Sequence, residues 1–195
     1  MNTIEIIGYQ RGSFGKRAAK QLRAEANVPG ILYGGKAQVH FYTPMALLKA
    51  LVYTPQAHFV LLNIEGTTYR CILQDIQFHP VSEIISHIDF LQIFDDKKIK
   101  MDIPTVLAGS SPGVAKGGKL VNKMKKLPVS AYPKDMPDQI KINVATLDLG
   151  QMARIRDIQA EQYTILAPAS IPVAVVAMTR ALRTAGEEGN KSAKK

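Results

Sequence analysis

RGSFGKRAAKQLRAEANVPGILYGGK, Arg11 to Lys36, gathers six of the chain's 25 basic residues and a single acid, Glu25. Gly12 and Gly15 make a flexible approach, and Ser13 is positioned as a helix cap. KRAAKQLRAEA then has the composition of a short helix, closed by Asn27 and broken at Pro29. At 100° per residue, Lys16, Lys20 and Arg23 fall in one narrow arc, and Ala18, Ala19, Leu22 and Ala26 form the adjoining apolar stripe. One side therefore docks while the other offers cations. The competing reading is an ordinary solvated helix face.

On either side of this helix the pattern is that of strands. TIEIIGY at 3–9 leads into it, and Val28, Pro29 and Gly30 turn the chain out of it into ILYGG. Val39 to Tyr42 reads as a further strand. Pro44 is placed for the first position of a second helix, MALLKALVY, in which Met45, Leu48 and Val52 are spaced for burial. HFVLLNIEGTTYRCILQDIQF reads as two strands about a Glu65-Gly66 turn. Cys71, Leu73 and Ile76 break strict alternation there, which predicts a bulge. IISHIDFLQI supplies one more strand.

The composition changes after Phe90. Asp95, Asp96, Lys97, Lys98 and Lys100 make a charged hinge, and strands follow at IKMDIPTVLA, LPVSAY, IKINV, ARIRDI and IPVAVVAMT. The fold class is mainly β with some helix, an α+β chain with a second, nearly all-β domain. The expected organisation is a first domain over 1–91, a second over 92–180 and a disordered basic tail over 181–195, which has no large hydrophobe after Leu182.

Charge narrows the function classes. The chain has 195 residues and 46% hydrophobic content, enough for a real core. A formal charge of +9 favours polyanionic partners over acidic small molecules. Residues 1–91 hold eight bases against six acids, and 92–195 hold seventeen against ten. Local clustering at Arg11–Lys36, rather than the net charge of that half, therefore marks the candidate surface. The lone Cys71 sits in an apolar run and excludes a disulfide framework. No signal peptide or membrane span is read in the sequence, and a reducing cytosol fits it.

Two stretches imitate a phosphate-binding P-loop, GILYGGKA at 30–37 and GVAKGGKL at 113–120. Ala37 and Leu120 stand where that loop needs a magnesium-binding hydroxyl, so turn glycines are the simpler explanation. In QDIQFHPVSEIISHIDF, at 74–90, His79, His87 and Asp89 are conceivable metal ligands of a hydrolase. Structural zinc usually adds thiolates, and no separate base or nucleophile is indicated. The same side chains can cap strand ends. They also suit nucleic acid: Gln and His hydrogen-bond to base edges and ribose, Asp accepts from exocyclic amines, and Tyr33 can stack.

GKRAAKQLRAEANVPGILYGG and QDIQFHPVSEIISHIDF together resemble the two signature blocks of the ribosomal protein twenty-five family of the bacterial large subunit, which binds 5S rRNA. Past Phe90, PTVLAGSSPGVAKGGKL is similar to the start of the second domain of its long, general-stress-protein CTC form. The resemblance implies that the first domain is a small β-barrel with helices that clamps the loop E region of 5S rRNA. Carried over by motif, Arg11, Lys16, Lys20 and Arg23 contact phosphates or enter the groove, and Tyr33 lies at the RNA surface. Gln74, His79, His87 and Asp89 meet base edges or sugars. Ala19, Lys20 and Phe78 depart from the family's usual hydroxyl, arginine and basic residues, and lysine lacks arginine's bidentate fork. The resemblance implies a cytoplasmic, ribosome-associated structural protein with no catalytic role, no cofactor beyond magnesium belonging to the RNA, no membrane partner and no small-molecule substrate. A metal-dependent hydrolase and a general-stress chaperone or regulator are the alternatives. Lys116, Lys119, Lys123, Lys125 and Lys126 form the densest basic run of the second domain, read either as a solvated hairpin or as contact with RNA or a neighbouring ribosomal protein.

Overall fold

The computed structural model describes residues 1–35, 37–159 and 162–179. The tail expected at 181–195, like Lys36 of the basic stretch, lies outside the described residues. The chain forms two compact units, Met1–Met101 with Ser130–Asp138, and Asp102–Val129 with the described residues from Gln139 onward.

In the first unit β1 (Thr3–Gln10) is followed by α1 (Lys16–Ala24), β2 (Asn27–Tyr33), β3 (Val39–Pro44) and α2 (Met45–Val52). The unit continues with β4 (Phe59–Ile64), β5 (Thr67–Phe78) and β6 (Ile85–Gln92). The six strands close into a barrel in the order β1-β3-β2-β6-β5-β4, shut by the parallel pairing of β4 with β1. Closure leaves no free edge, and alternate residues fill the interior. Ile6, Leu32, Phe41, Val60, Leu62, Cys71, Ile88 and Phe90 are almost wholly buried there. Phe41 and Phe90 stack at 5.9 Å. Each such large side chain contributes about 1.5–3 kcal/mol of burial. Cys71 donates its thiol to the Val60 carbonyl at 3.5 Å, and burial pushes its pKa up to about 12. Leu48 and Leu51 of α2 join the same core, with Met45 and Val52 packed against it.

Three local expectations need correcting. Helix α1 is capped by Gly15, at φ 99° and with no side-chain cap, rather than by Ser13. It also ends at Ala24, and Asn27–Gly30 are already strand. Ala26, at φ 58°, makes the reversal. Pro29 is tolerated because the β2–β6 ladder begins one residue later, at Gly30↔Ile88, so its missing N–H costs that ladder nothing. Pro44 closes β3 and is the N-cap of α2, not its first turn. The Glu65-Gly66 turn has φ 48° and 90°, the backbone of a two-residue hairpin. The bulge is real: between Leu73↔Phe90 and Asp75↔Asp89, Gln74 is the extra residue of β5.

The second unit carries most of β7 (Ile99–Ala108) and β9 (Lys126–Ala131), with α3 (Pro112–Ala115), β8 (Lys119–Asn122), β10 (Ile140–Asn143), β11 (Met152–Arg154), β12 (Thr164–Ile165) and β13 (Pro172–Ala177). These strands make a four-stranded sheet, β10-β7-β9-β12, and a three-stranded one, β11-β13-β8. ARIRDI is a strand only to Arg154. Ile155–Asp157 turn as a 3-10 helix, with the Asp157 carboxylate accepting the Arg154 N–H at 2.8 Å. Strand β8 went unread because its apolar residues are embedded among lysines.

Candidate nucleic-acid interface

Helix α1 lies over β2 with Ala18, Ala19 and Leu22 half-buried, and none of its residues is fully buried. Small side chains on that stripe let the helix sit low on the barrel wall. Lys16, Arg17 and Lys20 are exposed, and among the described residues no ion pair involves them. Their charge is therefore uncompensated at short range, the condition under which a phosphate gains most. Arg23 differs. Its Nε donates to the Ser86 carbonyl at 2.9 Å, tying the cationic flank of the helix to β6. Ser86 in turn donates its hydroxyl to the Gln77 carbonyl at 2.9 Å.

That tie sets the helix beside a strip of polar side chains on the outer face of β5 and β6. Ile88 and Phe90 point into the core, so His87 and Asp89 share the outward face, as their alternation requires. Across the ladder Gln77 stands opposite His87 and Asp75 opposite Asp89. On the other side β2 places Ile31 next to Asp89, with Tyr33 two residues on. Burial first, then the carboxylates of Asp89 and Asp75, push the Tyr33 hydroxyl above its ordinary pKa, so it remains a neutral donor. His87 Nδ1 lies 2.7 Å from Asp89 Oδ1. The contact does not meet hydrogen-bond geometry, and Oδ1 is left a buried acceptor without a donor.

Gly30 holds this arrangement together from inside. A Cβ there would lie 2.7 Å from Phe41 Cζ and 2.9 Å from the Ile88 carbonyl oxygen, so only glycine lets β2 approach β6 at this point.

Of the nine residues singled out in the sequence, Tyr33, His87 and Asp89 lie on this face, Arg23 is tied to it through Ser86, Lys16 and Lys20 share Arg23's flank of α1, and the exposed Gln74 is the bulge residue beside Asp75. His79 does not join it in the same way. It braces the β5–β6 turn, its Nδ1 3.4 Å from the Val81 N–H and 3.3 Å from that of Ser82. Arg11 lies on the opposite flank of α1, in a cleft with Gln21, Glu25 and Tyr42. Sequence reading passed over Arg17, Asp75 and Gln77. Asp75 and Gln77 were accessible in principle, since pairing the two strands of the second block puts them opposite Asp89 and His87. The bulge that sets this register was expected, but not its exact place. Among the described residues no three His, Cys, Asp or Glu side chains are placed to hold a metal ion. No described helix is long and apolar enough to cross a membrane.

An outward row of hydrogen-bonding groups beside unpaired cations is a surface for a polyanion with readable edges. Known proteins resemble the chain along both of its units. The Ribosomal L25p family matches residues 6–90, and the C-terminal domain of ribosomal protein TL5 matches 98–180. The large ribosomal subunit protein bL25 of Amoebophilus asiaticus (strain 5a2) is 67% identical over the whole of both chains. The chain belongs to the bL25 family. The bL25 protein of Cytophaga hutchinsonii is 48% identical over 94% of this chain and 95% of its own, and that of Porphyromonas gingivalis 41% over 95% and 97%. The barrel with helices and the mostly-β second unit are thus the fold the sequence implied, and the likeness extends across both.

Proposed function

We propose that this bL25-family protein binds the loop E region of 5S rRNA through the cationic flank of α1 and the polar strip of β5 and β6. It is a structural constituent of the large ribosomal subunit, acting in translation in the cytoplasm, and not an enzyme. Residues 1–91 are proposed to carry the RNA contact. Lys16 and Lys20 neutralise phosphates, and Arg23 does the same from its tether on Ser86. Tyr33, Gln74, His87 and Asp89 meet base edges or sugars. The turn carrying His79 and the cleft carrying Arg11 extend the contact on either side.

The observation that supports this best is the pairing of unneutralised cations with outward carboxylates. Asp75 and Asp89 repel phosphate, so on a purely electrostatic surface they are a liability. On a reading surface they accept from exocyclic amines, which fits a distorted helix with exposed base edges. Two experiments test it. The chain should co-sediment with the large subunit and protect 5S rRNA from chemical probing. Lys16→Ala with Lys20→Ala should weaken 5S rRNA binding and lower its salt slope by about two, roughly one per phosphate contact. Normal affinity and slope in that double variant would reject the placement.

A further inference from the structure

Helix α1 has a second flank. Ala18, Gln21 and Glu25 (i, i+3, i+7) turn away from Lys16 and Lys20 and, with Leu22, wall a cleft of about 220 Å³ closed by Arg11, Ser13 and Tyr42. That is several times the roughly 30 Å³ share of a water molecule, room for a flat ring. Arg11 Nε is buried and has no hydrogen-bond partner. Nε is thus out of reach of a ligand, and Nη1 with the second Nη2 hydrogen are the donors left for one. Its neighbours hold the guanidinium in place. Nη2 donates to the Ser13 carbonyl at 3.4 Å, Cζ sits 5.6 Å from the Phe14 ring centre, and Phe14 packs edge-on to His40. The opposite wall is acidic. Glu25 accepts from Gln21 Nε2 through Oε1, which leaves its second oxygen for a ligand. Tyr42 is itself steadied by stacking on Tyr9 at 5.4 Å.

We infer that this cleft takes one unstacked guanine base of the RNA bound by the barrel, a contact separate from the strip on β5 and β6. A carboxylate faced by a guanidinium fits guanine, whose N1–H and exocyclic amine are adjacent donors and whose O6 and N7 are acceptors. Adenine and cytosine would set a ring-nitrogen lone pair against Glu25, and uracil a carbonyl. Tyr42 supplies the aromatic wall on which unstacked bases are held. With one cation and one acid, the cleft seats the base alone, and a free nucleotide's phosphate would stay in solvent and add nothing to selectivity. A base delivered by a bound strand suits it better.

The inference rests on the barrel binding RNA, and a two-armed experiment keeps the two claims apart. In the first arm, backbone amide NMR of the full chain is followed with GMP, AMP, CMP and UMP. GMP should shift Gly12, Ser13, Glu25 and Tyr42 more than the others do, and Glu25→Gln and Arg11→Lys should each erase that preference. In the second arm, Glu25→Gln should weaken 5S rRNA binding about tenfold. The sign decides, because removing an acid that merely lies near a polyanion should tighten binding. Tighter or unchanged RNA affinity in Glu25→Gln, or equal shifts from all four nucleotides, overturns the inference. Guanine-selective shifts in a chain that fails to bind 5S rRNA would support the cleft and reject the 5S reading.

Discussion

Two basic surfaces among the described residues are built differently. On the barrel, exposed Lys16, Arg17 and Lys20 stand on the helix that Arg23 ties to β6, the strand that carries His87 and Asp89, with Gln77 across the ladder. In the second unit Lys119, Lys123, Lys125 and Lys126 are just as exposed, but the uncharged polar groups among them are turned inward. Asn122 donates to Thr105 Oγ1 at 3.0 Å, and Thr105 donates to the Met124 carbonyl at 2.6 Å. Lys116 is bound to Asp148 at 2.6 Å. Lysine density makes a surface attractive to RNA. Discrimination needs hydrogen-bonding groups left open beside the charge, and of these two surfaces the barrel's has outward polar side chains in a row.

The largest expected effect comes from disturbing each surface from within. Gly30→Ala drives a methyl into Phe41 and the Ile88 backbone, and overpacking of this kind costs about 1–3 kcal/mol or more. It should lower the melting temperature and the 5S rRNA affinity together, because β2 and β6 carry the strip. Gly118→Ala is its counterpart in the second unit, where the added methyl would meet the Gly113 carbonyl at 2.7 Å and Leu149 Cδ2 at 2.7 Å. It should destabilise that unit and leave 5S rRNA affinity unchanged. Equal loss of binding in both variants would erase the difference between the surfaces.

Single cations come next. Arg23→Ala should cost about 1–3 kcal/mol of affinity, since it removes both a charge and the tie to Ser86. Lys20→Ala should cost less and flatten the salt slope by about one unit. Lys125→Ala and Lys126→Ala should change neither quantity in a 5S rRNA titration.

The smallest effects are in pH dependence. Hydrogen bonds from Lys116 and from the Leu149 N–H hold the Asp148 carboxyl below the usual carboxylate range. A lowered folded pKa means the stabilisation is present above the unfolded value and is lost as pH falls through the folded one. Melting curves of Asp148→Asn should therefore converge with wild type under acid conditions, with little difference to see because the pair is exposed. Cys71 moves the other way. Its thiol, raised to about 12, favours the fold below the unfolded pKa, and that contribution fades as pH rises toward 12. At neutral pH it should resist a thiol reagent until the barrel unfolds.

Much of this was legible in the sequence for physical reasons. Apolar alternation marked the barrel strands, and the Glu65-Gly66 turn and the β5 bulge each had a local signature. What stayed hidden depended on tertiary partners. Pro29 reads as a breaker, and its pairing with Tyr42 in the β2–β3 ladder, with the β2–β6 ladder starting only at Gly30, makes it a strand residue. The Gly15 cap has no side-chain signal to find. Arg11 and Arg23 are alike in sequence, yet one is committed to a cleft and the other to the Ser86 carbonyl, which the 63-residue separation of that bond conceals. Asp75 drew no notice because its meaning lies in standing opposite Asp89.

The most direct test uses His87→Ala and Asp89→Asn against two RNAs, native 5S rRNA and a variant whose loop E non-standard pairs are replaced by Watson–Crick pairs. If the outward strip reads the RNA, both substitutions lower affinity for the native RNA more than for the variant, and the melting temperature barely moves. If melting temperature falls while discrimination between the two RNAs survives, His87 and Asp89 are a structural pair of the barrel wall, and the strip does not read 5S rRNA.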